Sequence, residues 1–262
     1  MPALKNPLFF RGLVMLSLLG YTPPAPAGAA PTTTPTTAPT TQISTFHKTV
    51  SRSIGYDYAI QFPHDYDNQS THNKKFPLII FLHGSGSCGG DTAKLLNAGI
   101  FKVCAQRQDS PFIVVAPHLP DYSGWWSVES LDAVLDHLLQ TYDVDPNRVY
   151  LTGASLGAYG VWDWACHRPQ AFAAIAPCAG EGNDDWAEKL KNVPVWAFHG
   201  DRDQAVALAE EQRMVNAVNK AGGSAKLTIY PNTGHNAWDQ AYHDPALFEW
   251  FLAHEKKGWN RR

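Results

Sequence analysis

A serine, a carboxylate and a histidine, each just past a strand-like run, are the groups with chemistry to offer in this chain. Ser155 sits in Gly153-Ala154-Ser155-Leu156-Gly157, a G-x-S-x-G pentapeptide. A serine hydroxyl is a weak nucleophile until an adjacent base takes its proton. His235, in Thr233-Gly234-His235, is the candidate base. The base needs a carboxylate to hold its tautomer and stabilise the imidazolium. Asp201 and Asp203 both follow an earlier strand-like run. Asp203, at the crest of its loop and just before a helical pattern, is favoured. A developing oxyanion needs two backbone N–H donors. Leu156, the residue after the nucleophile, supplies one, and Ser85 or Gly86 in His83-Gly84-Ser85-Gly86 supplies the other. Of the aromatic residues flanking these loops, Trp126 and Trp238 are taken as substrate-binding. No metal or organic cofactor is needed for such chemistry.

The pentapeptide alone is a common Gly-rich turn. Its context gives it weight. Residues 148–152 form a short β-branched and aromatic run, and residues 158–167 follow with a helical pattern. Strand, G-x-S-x-G and helix together make a nucleophile elbow, in which the serine projects above the sheet edge. Glycines on either side leave room for helix and strand to approach closely. Further strands are expected at 77–82, 112–116, 172–177, 193–199 and 225–230, with one or two antiparallel strands within 49–62. Helices are expected within 91–106, then from an N-cap at Ser127 to residue 142, at 186–191, 206–221 and 246–254. Strands alternating with helices imply a mostly parallel sheet covered on both faces. In such α/β sheets reactive groups gather at the carboxyl ends of strands, where all three candidate residues fall.

The 262 residues are 44% hydrophobic and include nine Trp, enough for one large core. The formal net charge is −3, with acidic and basic residues interspersed, which argues against nucleic acid as a partner. Residues 1–30 combine basic Lys5 and Arg11, a short apolar run and an Ala-Gly-Ala stretch, the pattern of a cleaved signal peptide. Residues 31–43 are a Pro- and Thr-rich linker, and 44–262 the catalytic domain. Secretion or a periplasmic location follows, without stable membrane association after cleavage. Four cysteines permit two disulfides in an exported protein. Spacing does not choose among the three connectivities. Cys166 and Cys178 fall at opposite ends of the sheet, which excludes a bridge between them, and Cys88–Cys104 is the pairing preferred, with the other two as buried thiols.

Larger stretches resemble a known family. Phe81-Leu82-His83-Gly84-x-Gly86, Gly124-Trp125-Trp126-Ser127, the run from Val144 through Arg148 to Gly153, and Gly234-His235-x-x-Trp238 are similar to secreted serine hydrolases described as predicted peptidases or phospholipase/carboxylesterases. That group is related to feruloyl esterase and polyhydroxybutyrate depolymerase-like esterases of the α/β-hydrolase superfamily. The resemblance runs from about Tyr58 to His254. In those relatives the acid lies in His-Gly-x-x-Asp-x-x-Val, here residues 199–206, which supports Asp203. Two positions depart from the pattern: Leu156 follows the serine where Met is frequent, and Ser87-Cys88 stand where Glu-Arg is usual. The expected activity is an acyl-enzyme hydrolysis of carboxylic esters, short-chain or aromatic-acid, including carbohydrate-linked ones. The rival readings are a serine peptidase of the prolyl oligopeptidase-like type and a non-catalytic binding protein on the same scaffold.

Overall fold

The computed structural model describes residues 52–66, 74–107, 109–121 and 124–256. The expected signal peptide and linker lie outside these residues. Seven strands, β1 (Tyr58–Gln61), β2 (Phe76–Leu82), β3 (Ile113–Pro117), β4 (Val144–Ala154), β5 (Ala174–Cys178), β6 (Val195–Gly200) and β7 (Ala225–Tyr230), form one sheet in the order β1-β3-β2-β4-β5-β6-β7. All neighbours are parallel except β1, which runs antiparallel to β3 along the edge. This is the α/β-hydrolase type of architecture. The stretch 49–62 thus yields a single described strand.

A parallel sheet needs strands that are apolar on both sides, and β2 (FPLIIFL) is buried at every position. Successive side chains point to opposite faces. Leu78, Ile80 and Leu82 enter one core while Ile79 and Phe81 enter the other. Three helices cover the first face: α2 (Val128–Thr141), α3 (Leu156–His167) and α4 (Leu208–Lys220). Leu131, Leu135 and Leu138 make the apolar stripe of α2, and Ser127 accepts a hydrogen bond from the Ser130 N–H as its N-cap. The second face is covered by α1 (Gly99–Ala105), α5 (Trp238–His243) and α6 (Pro245–Leu252). Asp244 caps α6 through the Ala246 N–H, with Pro245 in the first turn. Residues 184–190 form a 3₁₀ turn, as do 92–97 ahead of α1. No helix among the described residues is long and apolar enough to cross a membrane.

The two cores correct the disulfide expectation. Cys88 lies in the first core and Cys104 in the second, as do Cys166 and Cys178 respectively. Each of those pairs is separated by the sheet, and a bridge needs Cα atoms within about 7 Å. All four are free and buried thiols. Burial pushes the Cys104 and Cys166 thiols up to about 12.

Strand order reverses between β2 and β4. From β4 the sheet grows to β7 on one side, and from β2 through β3 to β1 on the other. A crevice opens at the carboxyl ends of the strands at such a point. The loop 83–87 leaves β2 there, and Ser155 leaves β4.

Candidate active site

The elbow is built by close packing. Leu82 pairs with Gly153 in the β2–β4 register, and α3 starts directly above that pair. A Cβ on Gly157 would lie 1.8 Å from the Leu82 carbonyl oxygen, so only glycine allows the helix so close. The turn therefore has no slack, and Ser155 is forced to φ 55, ψ −120. A non-glycine residue held in such a region costs on the order of 1–3 kcal/mol. Its N–H donates to the Cys178 carbonyl at 3.0 Å, and its own carbonyl accepts from Ala158 and Tyr159, which ties the strained residue to β5 and α3.

The strained turn aims the Ser155 hydroxyl at His235. Nε2 of His235 lies 2.7 Å from Ser155 Oγ, and its Nδ1 lies 2.7 Å from Asp203 Oδ2. Asp203 has a fully buried side chain, whereas that of His235 is 29% exposed. Burial pushes the Asp203 carboxyl pKa up. The hydrogen bond from His235 and the N–H groups of Val206 and Ala205, both donating to Oδ1, outweigh it and hold the carboxyl below its usual range. Asp203 is thus an anion built to orient an imidazole. Asp201 does something else: its Oδ1 accepts from the Thr233 N–H and braces the loop that carries His235.

The loop after β2 is set by His83. Its Nε2 accepts from the Leu119 N–H at 3.0 Å, so its Nδ1 carries the proton and donates to the Gly84 carbonyl at 2.8 Å. Burial lowers its pKa, in keeping with a neutral ring. Gly84 lies against Ala154 and Ser155: a Cβ there would meet the Ala154 carbonyl oxygen at 3.1 Å. Ser85 and Gly86 then line a cavity of about 440 Å³ together with Ser155, His235, Trp238 and Phe81. The Leu156 N–H opens α3, at the end of a helix where backbone donors have no intrahelical acceptor.

A match to the family model described as the dienelactone hydrolase family spans residues 126–256, 131 of the 262 residues. The chain belongs to the dienelactone hydrolase family. Among similar proteins, one described as a carboxymethylenebutenolidase in Salmonella typhimurium strain LT2 is 29% identical over 71% of this chain and 63% of its own length. The bifunctional acetylxylan esterase/xylanase of Neocallimastix patriciarum is 26% identical over 50% of this chain and 20% of its own. The crystal structure of a thermostable esterase superposes with a TM-score of 0.68 at 26% identity, covering 76% of this chain and 59% of that one. Est1E from Butyrivibrio proteoclasticus shares the fold, with a TM-score of 0.57 at 16% identity over 75% of this chain and 93% of its own. The chain spans less than two thirds of the first curated relatives it matches.

In this member of the dienelactone hydrolase family the two tryptophans taken as substrate-binding part company. Trp238 is at the site, edge-on to the His235 ring with centroids 5.1 Å apart. Trp126 is not: it is 2% exposed and packs in the first core, against Tyr56 and the His83 ring. That expectation is corrected. Trp126 acts through packing on the histidine that shapes the Gly84–Gly86 turn. Its neighbour Trp125 is the exposed ring, at 56%, and stands edge-on to Tyr159 at 5.6 Å. These two open a second cleft, of about 480 Å³, whose far wall carries Trp186, Glu181, Asn183 and Asp184. Tyr159, one turn of α3 beyond Ser155, donates its N–H to the Ser155 carbonyl. Asn97 and Ala98, ahead of α1, and Gly99, its first residue, also line the Ser155 cavity and were missed from sequence. Their signal is Gly99, at φ 48, where a Cβ would meet the Phe81 ring at 2.3 Å.

Proposed function

We propose that this chain is an exported serine hydrolase that cleaves carboxylic esters through an acyl-enzyme. One observation carries the reading: an unbroken Ser155–His235–Asp203 chain with both links at 2.7 Å, anchored by a nucleophile at positive φ. In the proposed mechanism His235 Nε2 takes the Ser155 proton as Oγ attacks the ester carbonyl, and Asp203 steadies the imidazolium. The Leu156 N–H and one from the Ser85–Gly86 turn receive the oxyanion. His235 then protonates the leaving alcohol. Water, deprotonated by the same ring, releases the acid and restores Ser155.

Ester rather than peptide cleavage is favoured by the form of the site. Its cavity is open and walled by Phe81 and Trp238, which suits a small or planar acyl group. The family's name and the names of the relatives point to lactones and acetylated xylan, both esters. The test is a side-by-side assay of p-nitrophenyl acetate, a feruloyl ester, a lactone and a peptide anilide. Turnover of at least one ester well above that of the anilide is expected; an anilide cleaved faster than every ester would make the protein a peptidase.

The Trp125–Tyr159 cleft supports a carbohydrate on the alcohol side. Aromatic faces pair with the C–H face of a sugar, and Glu181, Asn183 and Asp184 offer acceptors for its hydroxyls. Trp125→Ala is expected to raise KM for an acylated oligosaccharide about tenfold while leaving p-nitrophenyl acetate within about twofold, the scale of losing one exposed ring contact. An equal effect on both substrates would place the ring's role elsewhere.

A further inference from the structure

Two buried ionisable residues stand behind the triad acid, unused by the mechanism above. His199, at the end of β6, has no exposed surface. Its Nδ1 lies 3.2 Å from Glu211 Oε2, and its Nε2 lies 3.1 Å from the Val206 carbonyl and 3.2 Å from Asp203 Oδ2. Every atom facing the ring nitrogens is an acceptor oxygen. A neutral imidazole has one nitrogen without a proton and would turn a lone pair towards one of these oxygens. Glu211, on α4, is also fully buried. It accepts from the Trp162 indole N–H at 2.9 Å on Oε1 and from the Gly180 N–H at 2.8 Å on Oε2. Burial pushes the Glu211 carboxyl pKa up, and against it these two donors and the His199 ring favour the anion.

We propose that His199 is an imidazolium, held charged by Glu211, and that it is a positioning residue for Asp203, extending the triad into a Glu211–His199–Asp203–His235–Ser155 chain. Asp203 Oδ2 then faces the His235 ring as hydrogen-bond donor on the site side and a positive charge 3.2 Å away on the core side, which holds the carboxylate between the two rings. The positive charge on the core side also offsets part of the Asp203 charge that His235 faces, so removing it would strengthen the hold of that carboxylate on the imidazolium. Burial opposes a charged His199, but Glu211, the Val206 carbonyl and Asp203 outweigh it and raise its pKa. The other ionisable groups packed around this chain stay neutral: Tyr159 on α3, pushed up to about 12 by burial, and Cys178 on β5, pushed higher still by the same cause.

The inference rests on the serine-hydrolase reading for its catalytic half, while its structural half needs no activity. ¹⁵N shifts of His199 in the full-length protein at mildly alkaline pH should show both ring nitrogens protonated. A single protonated nitrogen would overturn the proposal, whatever the enzyme does. For the catalytic half, His199→Gln and Glu211→Gln remove the charge in different ways. Both should move the acidic limb of the kcat/KM–pH profile upward by about one unit, the scale of one charge a few ångström away at intermediate dielectric. Loss of packing alone would lower the rate at every pH and leave the limb in place, and that result in a folded variant would overturn the positioning role. If neither variant folds, the ¹⁵N measurement decides alone.

Discussion

Ser155→Ala is expected to lose about 10⁶ in turnover of p-nitrophenyl acetate while its circular dichroism and thermal midpoint stay close to those of the parent, the scale seen when a serine hydrolase loses its nucleophile. The fold should tolerate the change because alanine keeps the Cβ. The strain at φ 55 is then no greater, and the backbone bonds to Cys178, Ala158 and Tyr159 involve no side-chain atom. What disappears is the one oxygen within 2.7 Å of His235 Nε2. Rates within about tenfold of the parent would mean that another group attacks the ester, and the mechanism proposed above would fall.

The acid offers a sharper test, because two aspartates stand two residues apart. Asp203→Asn should lose about 10⁴ in kcat, the scale reported when the triad acid of a serine protease is amidated. Its Oδ1 can still accept from Ala205 and Val206. Its Nδ2, however, would turn N–H groups towards His235, where a carboxylate oxygen now accepts, and would remove the negative charge that faces His199 at 3.2 Å. Asp201→Asn keeps the oxygen that accepts from Thr233 and should stay within about threefold of the parent. Stopped assays on the two purified variants decide the matter. If the losses are exchanged, Asp201 is the acid and the geometry at His235 has been misread.

Both aspartates were visible in the sequence, and periodicity explains why. The strands β4, β6 and β7 are strand-forming runs that lead into polar, Gly-containing loops, so the positions of Ser155, Asp203 and His235 past strand ends could be inferred without knowing a single contact. What could not be read were facts about faces. Trp125 and Trp126 lie in an irregular stretch with no period, and nothing local tells which of two adjacent rings turns inward. The cysteines were misassigned because a bridge depends on which side of the sheet each side chain takes. Helix α5 was missed because six residues are too few to establish a helical repeat. Glu211 left a trace that went unused: with Met214, Val215 and Val218 it occupies the buried stripe of α4, where a carboxylate is out of place unless it has buried partners. His199 likewise ends a strand that is buried at all six positions.

The cavity at Ser155 and the Trp125–Tyr159 cleft have no lining residue in common. The first is drawn from the loops after β2, β4 and β7 and from residues 97–99, the second from Trp125, α3, residues 181–184 with Trp186, and Arg213. An ester has two halves, and under the proposed function each half would meet its own set of loops. The recognised alcohol could then be exchanged while the recognised acid is kept, or the reverse, without touching the hydrogen bonds that hold Ser155, His235 and Asp203. Such separability would let one unchanged catalytic trio be re-addressed to new esters one half at a time.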